Sequence, residues 1–143
     1  MCSSDLVADE AYASVLTATI ARLQLGTAVR VTGQVRDVAR IVRGWSLFAS
    51  LSADEGQGLA VLEAMALGVP VAARRVAGIE DFLRHRQTGW VIDGRSPAAV
   101  ATVLRAALAD PRAEAVVTRA RALVERDYDW ATMQHRFDRI YRA

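Results

Sequence analysis

The stretch EGQGLAVLEAM, residues 55–65, sets two carboxylates, Glu55 and Glu63, around two glycines and an apolar run. Gly56 and Gly58 let backbone approach a ligand closely. A helix starting at Gly58 offers unpaired amides and the positive end of its dipole, which suits a phosphate. The same turn is also ordinary punctuation between a strand and a helix. A carboxylate accepts hydrogen bonds from vicinal hydroxyls such as ribose or a hexose presents. Glu55 lies in the loop and Glu63 about a turn and a half into the helix, so the two can border one cleft without sharing a helical face. A carboxylate pair flanking a phosphate-binding helix start suits a sugar nucleotide.

Glu63 raises a second question. Residues 58–67 are apolar on every side, which predicts a helix buried within a domain. Glu63 falls between Leu59 and Leu67 in that helix, with Ala66 close by. An unpaired charge there costs on the order of several kcal/mol, so a partner is required. Arg74 or Arg75 could supply it, leaving Glu55 solvated; a bound ligand could supply it equally well.

The elements that position these residues follow from periodicity and punctuation. Residues 7–25 predict an amphipathic helix ending at Gly26, and VRVTG, residues 29–33, predicts a strand. Asp37 can cap a short helix to Arg43. WSLFASL, residues 45–51, is short and apolar enough for a central parallel strand. After the loop SADEGQ and the helix ended by Gly68, VPVAA predicts the next strand, and two strands joined through a helix imply parallel pairing. AGIEDFLRHRQTG holds a short helix and a turn, and WVI forms another strand. Ser96 and Pro97 open a helix running to about residue 108, Asp110-Pro111 breaks it, and helices over 113–126 and 130–142 follow. The pattern predicts an α/β fold: a doubly wound, Rossmann-like parallel sheet with helices on both faces and extra helices at the carboxyl end. Ligands of such sheets sit beyond the carboxyl ends of the strands, where residues 52–58 lie.

Composition narrows the classes further. A chain of 143 residues, 52% hydrophobic and 24% charged, has the balance of one globular unit and excludes a disordered one. The net charge is only +2, all 18 basic residues are Arg, and they are scattered and mostly sit beside Asp or Glu, as in RDVAR and VERDYD. This is a solvated surface rather than a nucleic-acid face. Cys2, the single cysteine, excludes an internal disulfide, and no zinc-type spacing is present. No apolar run approaches the roughly 20 residues of a spanning helix, and the first residues lack the apolar core of a signal peptide, so a cytoplasmic protein is expected. His85 reads as a surface-loop residue, His135 as part of a solvated helix face, and Trp45 and Trp90 as packing residues. MCSSDL, residues 1–6, back-translates to GTG TGC TCT TCC GAT CT, the end of a widely used sequencing adapter, and is expected to be non-native. Recovery of the upstream DNA tests this, since a natural promoter and ribosome-binding site before Met1 would refute it.

EGQGLAVLEAMALGVPVAA resembles the E-x7-E signature of the retaining glycosyltransferases of family 4, whose GT-B fold sets two Rossmann-like domains across a cleft. VRVTGQV is similar to that family's strand and Gly-x-Val loop, SLFASLS to its strand running into a serine, TGWVI to its tGxLv strand, and YDW to the opening of its last helix. The resemblance implies that residues 7–143 are the C-terminal donor-binding domain of such an enzyme, shortened at its N-terminus and without the acceptor domain. It implies that Glu55 contacts hydroxyls of the donor sugar and supports the reacting centre, and that Glu63 takes the nucleotide ribose. The backbone of Gly56, Gly58, Leu59 and Ala60 would meet the sugar or diphosphate, and Gln34 and Val35 would lie near the base. It further implies a nucleotide-sugar donor, no cofactor, and no metal, because basic groups and helix amides handle the diphosphate. Through the absent domain it implies an acceptor sugar, lipid or glycan, a peripheral membrane contact, and a place in building cell-envelope polysaccharide.

Gln57 stands where the family commonly has an aromatic or proline, Leu51 where proline often precedes the serine, Ala77-Gly78 for a frequent Gly-Gly, and Asp81 for a usual Glu. An Arg and a Lys that bind the diphosphate precede this region in the family. Without them and without an acceptor domain the chain is expected not to transfer sugar by itself. Two alternatives stand beside this reading: a non-catalytic sugar-nucleotide-binding or regulatory module, and a GT-B-related sugar-nucleotide epimerase.

Overall fold

The computed structural model describes residues 10–142, which divide into a unit ending at Arg36 and a unit beginning at Asp37. The expectation for residues 1–6, and the first residues of the predicted N-terminal helix, lie outside the described residues. In the first unit α1 spans Glu10–Arg22, and Gln24, at φ 56°, turns the chain beyond its end. The strand predicted at 29–33 is not formed, and Val29 and Val31 are 40% and 61% exposed. A strand exists only where a neighbour takes its backbone groups. In a doubly wound order a strand preceding the reversal does not neighbour the strand that follows it. No described strand pairs with residues 29–33.

The second unit runs α2 (Val38–Val42), β1 (Phe48–Ser50), α3 (Leu59–Ala66), β2 (Val71–Arg74), α4 (Ala77–Glu80), β3 (Trp90–Ile92), α5 (Pro97–Leu108), α6 (Ala113–Asp127) and α7 (Trp130–Tyr141). The strands pair in the order β1-β2-β3, all parallel, with Phe48 opposite Val71 and Ala72 opposite Trp90. Strand alternation then assigns two buried faces. Val71, Ala73 and Val91 pack with Val61 and Met65 of α3, Ile79 of α4 and Val124 of α6. Ala72, Trp90 and Ile92 turn the other way, onto Ala107 and Leu104 of α5 and Val116 of α6. Helices therefore cover both faces of the sheet, as expected for the α/β fold. The strand read at 45–51 shrinks to residues 48–50 and lies at an end of the described sheet, because only β2 pairs with it. Trp45, 45% exposed, stacks on Phe48 with ring centroids 6.0 Å apart, whereas Trp90 is 1% exposed.

Local chemistry ends these elements where the sequence suggests. The Asp37 carboxylate accepts from the Arg40 N–H at 3.1 Å, Ser96 Oγ from the Ala99 N–H at 3.2 Å, and Asp129 from the Ala131 N–H at 2.9 Å, each capping its helix. Asp110 does more than break α5. Its buried carboxylate takes the Arg112 N–H at 3.0 Å and the Arg86 guanidinium at 2.9 Å, tying the turn before β3 to the start of α6. Among the described residues no helix is long and apolar enough to cross a membrane.

Candidate functional site

The loop at residues 52–58 leaves the carboxyl end of β1 and delivers the chain to α3. Gly58 caps α3 at φ 62° and ψ 41°, in the left-handed region. A Cβ there would also come within 2.9 Å of Ile79 Cγ1 and 3.3 Å of Phe82 Cζ, so both backbone and packing demand glycine. Gly78 in α4 holds the same loop from below: a Cβ on it would collide with the carbonyl oxygen of Glu55 and reach that of Gly56 at 2.6 Å. Sequence reasoning noted Gly78 only as half of a variant Gly-Gly pair and missed this contact. The available signal was a glycine inside a short helix, where it costs stability unless something lies close.

No side chain caps α3. The Gly58 carbonyl accepts from the Val61 and Leu62 N–H groups at 2.9 and 3.1 Å. The amides of Leu59 and Ala60 have no intrahelical acceptor, as at any helix start. The loop that leads into this positive helix end carries Glu55, which is half-buried.

The prediction of a buried Glu63 is corrected. Helix α3 buries Val61, Leu62, Ala64 and Met65 against the sheet and its neighbours, while Leu59, Ala60, Glu63 and Ala66 are exposed. Apolar composition on every side does not require cover on every side, and nothing among the described residues covers this one. Among the described residues neither predicted cation partner reaches it. Arg75 Nε donates to Asp93 at 2.5 Å and its guanidinium lies 3.7 Å from Glu80, whereas Arg74 makes no ion pair and its buried Nε finds no acceptor among the described residues. Arg75 holds the Asp93 carboxyl below the usual range, chiefly by that hydrogen bond. Among the described residues Glu63 is thus a carboxylate without an ion pair on an otherwise apolar face.

That face borders two cavities, and Glu63 lines both. One, of about 490 Å³, opens between α3 and α6–α7 and is lined by Gln57, Leu59, Leu62, Ala66, Tyr128, Trp130 and Phe137 among others. The other, of about 360 Å³, lies between α2, β1 and α3, against Val38, Val42, Phe48, Ala60, Ala64 and Leu67. Both volumes fall in the range of small-molecule sites, roughly 300 to 1,000 Å³, with apolar walls and a few polar groups.

One loop and helix therefore carry Glu55, Gly56, Gly58, Leu59, Ala60 and Glu63 together. Gln34, exposed, and Val35, half-buried, belong to the first unit and lie in irregular backbone. His85 is exposed, and its Nδ1 accepts from the Val91 N–H at 3.2 Å; His135 is exposed on α7. The Asp-x-Asp spacing at residues 127–129 serves structure, since Asp127 binds Arg126 at 2.6 Å and Asp129 caps α7. No cluster of metal-ligating side chains occurs among the described residues.

The family described as glycosyl transferases group 1 matches residues 6–110. Over 125 residues, 86% of its length, the chain is 34% identical to the D-inositol 3-phosphate glycosyltransferase of Streptomyces avermitilis, of which it covers 27%. Over 88 residues, 60% of its length, it is 39% identical to the GDP-mannose-dependent alpha-(1-6)-phosphatidylinositol monomannoside mannosyltransferase of Mycobacterium tuberculosis, covering 21% of that protein. In fold it is similar to Anabaena HepE, whose crystal structure is a complex with UDP and glucose. The TM-score is 0.86 at 24% identity, over 92% of this chain and 36% of that one. The chain spans about a quarter of the length of the curated relatives it matches.

Proposed function

The chain belongs to the group 1 family of glycosyl transferases, and from that premise we propose that it is the donor-binding part of a family 4 enzyme. Such an enzyme moves a sugar from a UDP-, GDP- or ADP-linked donor to an acceptor with retention of configuration. The observation that carries this reading is the uncapped start of α3 beside the unpaired Glu63. An anionic diphosphate fits the free amides of Leu59 and Ala60 at the positive end of the helix dipole. These groups stabilise the charge that grows on the leaving nucleotide as the bond to the sugar breaks. Gly56 and Gly58 allow the close approach, Glu63 accepts hydrogen bonds from the ribose hydroxyls, and Glu55 meets the sugar and supports the reacting centre. Gln34 and Val35 are assigned to the base. The relatives differ in donor, one being crystallised with UDP and glucose and another named GDP-mannose-dependent, so the base is left for experiment.

The acceptor, whether sugar, lipid or glycan, is assigned to a domain outside these 143 residues, as is any membrane contact. The chain alone then binds donor without transferring sugar, and no metal or cofactor takes part.

Calorimetric titration of the folded chain with UDP, GDP and ADP tests the reading. One of the three is expected to bind selectively. Glu63→Gln should weaken it about tenfold or more, since a hydrogen bond to a charged group contributes roughly 1.5–3 kcal/mol. The same variant should leave unfolding free energy within about 0.5 kcal/mol, because an exposed carboxylate without an ion pair holds nothing together. Failure of the folded chain to bind any of the three would overturn a donor site in this chain, and turnover by the chain alone would overturn its dependence on an acceptor domain.

A further inference from the structure

The loop that carries Glu55 rests on α4, a helix of a single turn, and α4 is firmly fixed. Ile79 within it, and Phe82 and Leu83 just beyond its end, are buried in the core. The Ile79 and Glu80 N–H groups both bond the Val76 carbonyl, at 2.9 and 3.1 Å. Glu80 lies 3.7 Å from the guanidinium of Arg75, which in turn donates to Asp93 just past the end of β3. Core packing and an ion-pair chain therefore fasten α4 to the sheet.

The surface that α4 turns to the loop is glycine backbone. Gly78 stands so close to the carbonyls of Glu55 and Gly56 that a single methyl group has no room there. Gly56 has open space where its own Cβ would be, so the loop is pressed on the α4 side and free at that position. A methyl on Gly78 would have to push the Glu55 and Gly56 backbone away by roughly 1 Å to restore ordinary contact distances. Binding groups keep their function only when held within about 0.5 Å of the productive geometry.

The candidate site is thus carried on two supports. The Leu59 and Ala60 amides and Glu63 belong to α3, which buries Val61, Leu62, Ala64 and Met65. Glu55 and Gly56 take their position from how deep the loop lies on Gly78. We propose that Gly78 is a positioning residue: through the Glu55–Gly56 backbone it sets the half of the site that reads the donor's sugar, and the nucleotide half on α3 is independent of it. This rests on the donor-binding reading and deepens it by dividing the site between two helices.

Calorimetry of the 143-residue chain with UDP, GDP and ADP, each beside a hexose conjugate (UDP-glucose, GDP-mannose and ADP-glucose), tests the division. In Gly78→Ala the diphosphate Kd should stay within about threefold, while affinity for the conjugate relative to its diphosphate should fall at least about tenfold. Gly89→Ala is the matched control. Its Cβ would collide with Leu83 Cδ1 and come within 2.8 Å of the Val71 carbonyl oxygen, just before the amino end of β3, so it should lose stability and keep the ratio. Circular dichroism confirms that each variant is folded under the conditions of the titration. Should Gly78→Ala not fold, hydrogen exchange of the unaltered chain decides: residues 55–57 and 77–79 should gain protection together with the conjugate and not with the diphosphate. No binding of any of the six compounds by the unaltered chain would overturn the donor reading itself. Binding of a diphosphate but of no conjugate, an unchanged ratio in Gly78→Ala, an equal fall in Gly89→Ala, or protection confined to α3 would overturn the role of Gly78 and leave the donor site standing.

Discussion

Around the turn into β3, polar groups are consumed by the fold itself. Thr88 Oγ1 accepts from the Arg84 N–H at 2.9 Å and donates to the Phe82 carbonyl at 2.7 Å, and Asp110 takes both Arg86 and Arg112. Arg119 donates to the carbonyls of Gln87 and Arg86 at 2.9 and 3.2 Å. Trp90 Nε1 and, on the neighbouring strand, Arg74 Nε are the buried side-chain donors there that lack an acceptor among the described residues. The exposed face of α3 is the opposite case, with two amides, one carboxylate and a patch of large apolar side chains that nothing described satisfies. A buried polar group without a partner destabilises a fold, so few are left; the groups on the exposed face of α3 are open to water, and the fold does not depend on their being paired.

Removing core volume should separate the two regions most. Trp90→Ala should cost about 3–5 kcal/mol in urea unfolding, as large aromatic truncations do. Leu59→Ala on the open face should stay within about 0.5 kcal/mol. Similar costs at both positions would mean that α3 is covered after all. A smaller effect sharpens the role of the loop. Gly78→Ala should cost roughly 1–3 kcal/mol because its Cβ must displace the backbone at Glu55 and Gly56, whereas Gly56→Ala, with open space around it, should be nearly neutral to folding.

The smallest expected effect is in the acid limb. The Arg112 N–H first, and the Arg86 guanidinium after it, hold the Asp110 carboxyl below the ordinary carboxylate range. Its folded value is therefore lower than its unfolded one, near 3.9. The group contributes stability above the unfolded value and loses it as pH falls through the folded one. Asp110→Asn should flatten the decline of the unfolding midpoint below about pH 4. An unchanged acid slope in that variant would place the pH sensitivity elsewhere.

Much of this was legible before any coordinates. Ser96-Pro97, Asp37 and Asp129 mark helix starts because a cap is a contact between residues two or three apart, and the structure forms all three. The EGQGL turn likewise announces a strand-to-helix loop with free amides through its own glycines. The strand at 29–33 failed for the complementary reason: alternation describes a side-chain pattern, while a strand also needs a neighbour. Gly78 escaped because its importance lies in the backbone it touches, more than twenty residues earlier in the chain.

Glu63 divides what each level decides. The sequence alone determined that a carboxylate would interrupt an apolar helix eight positions after another, since composition and the helical period are local properties. Only the tertiary structure decided that this carboxylate is exposed, that Arg75 is taken by Asp93 and Glu80, and that two cavities meet beside it. Exposure and pairing depend on which distant elements pack against a face, and no window of neighbouring residues carries that information.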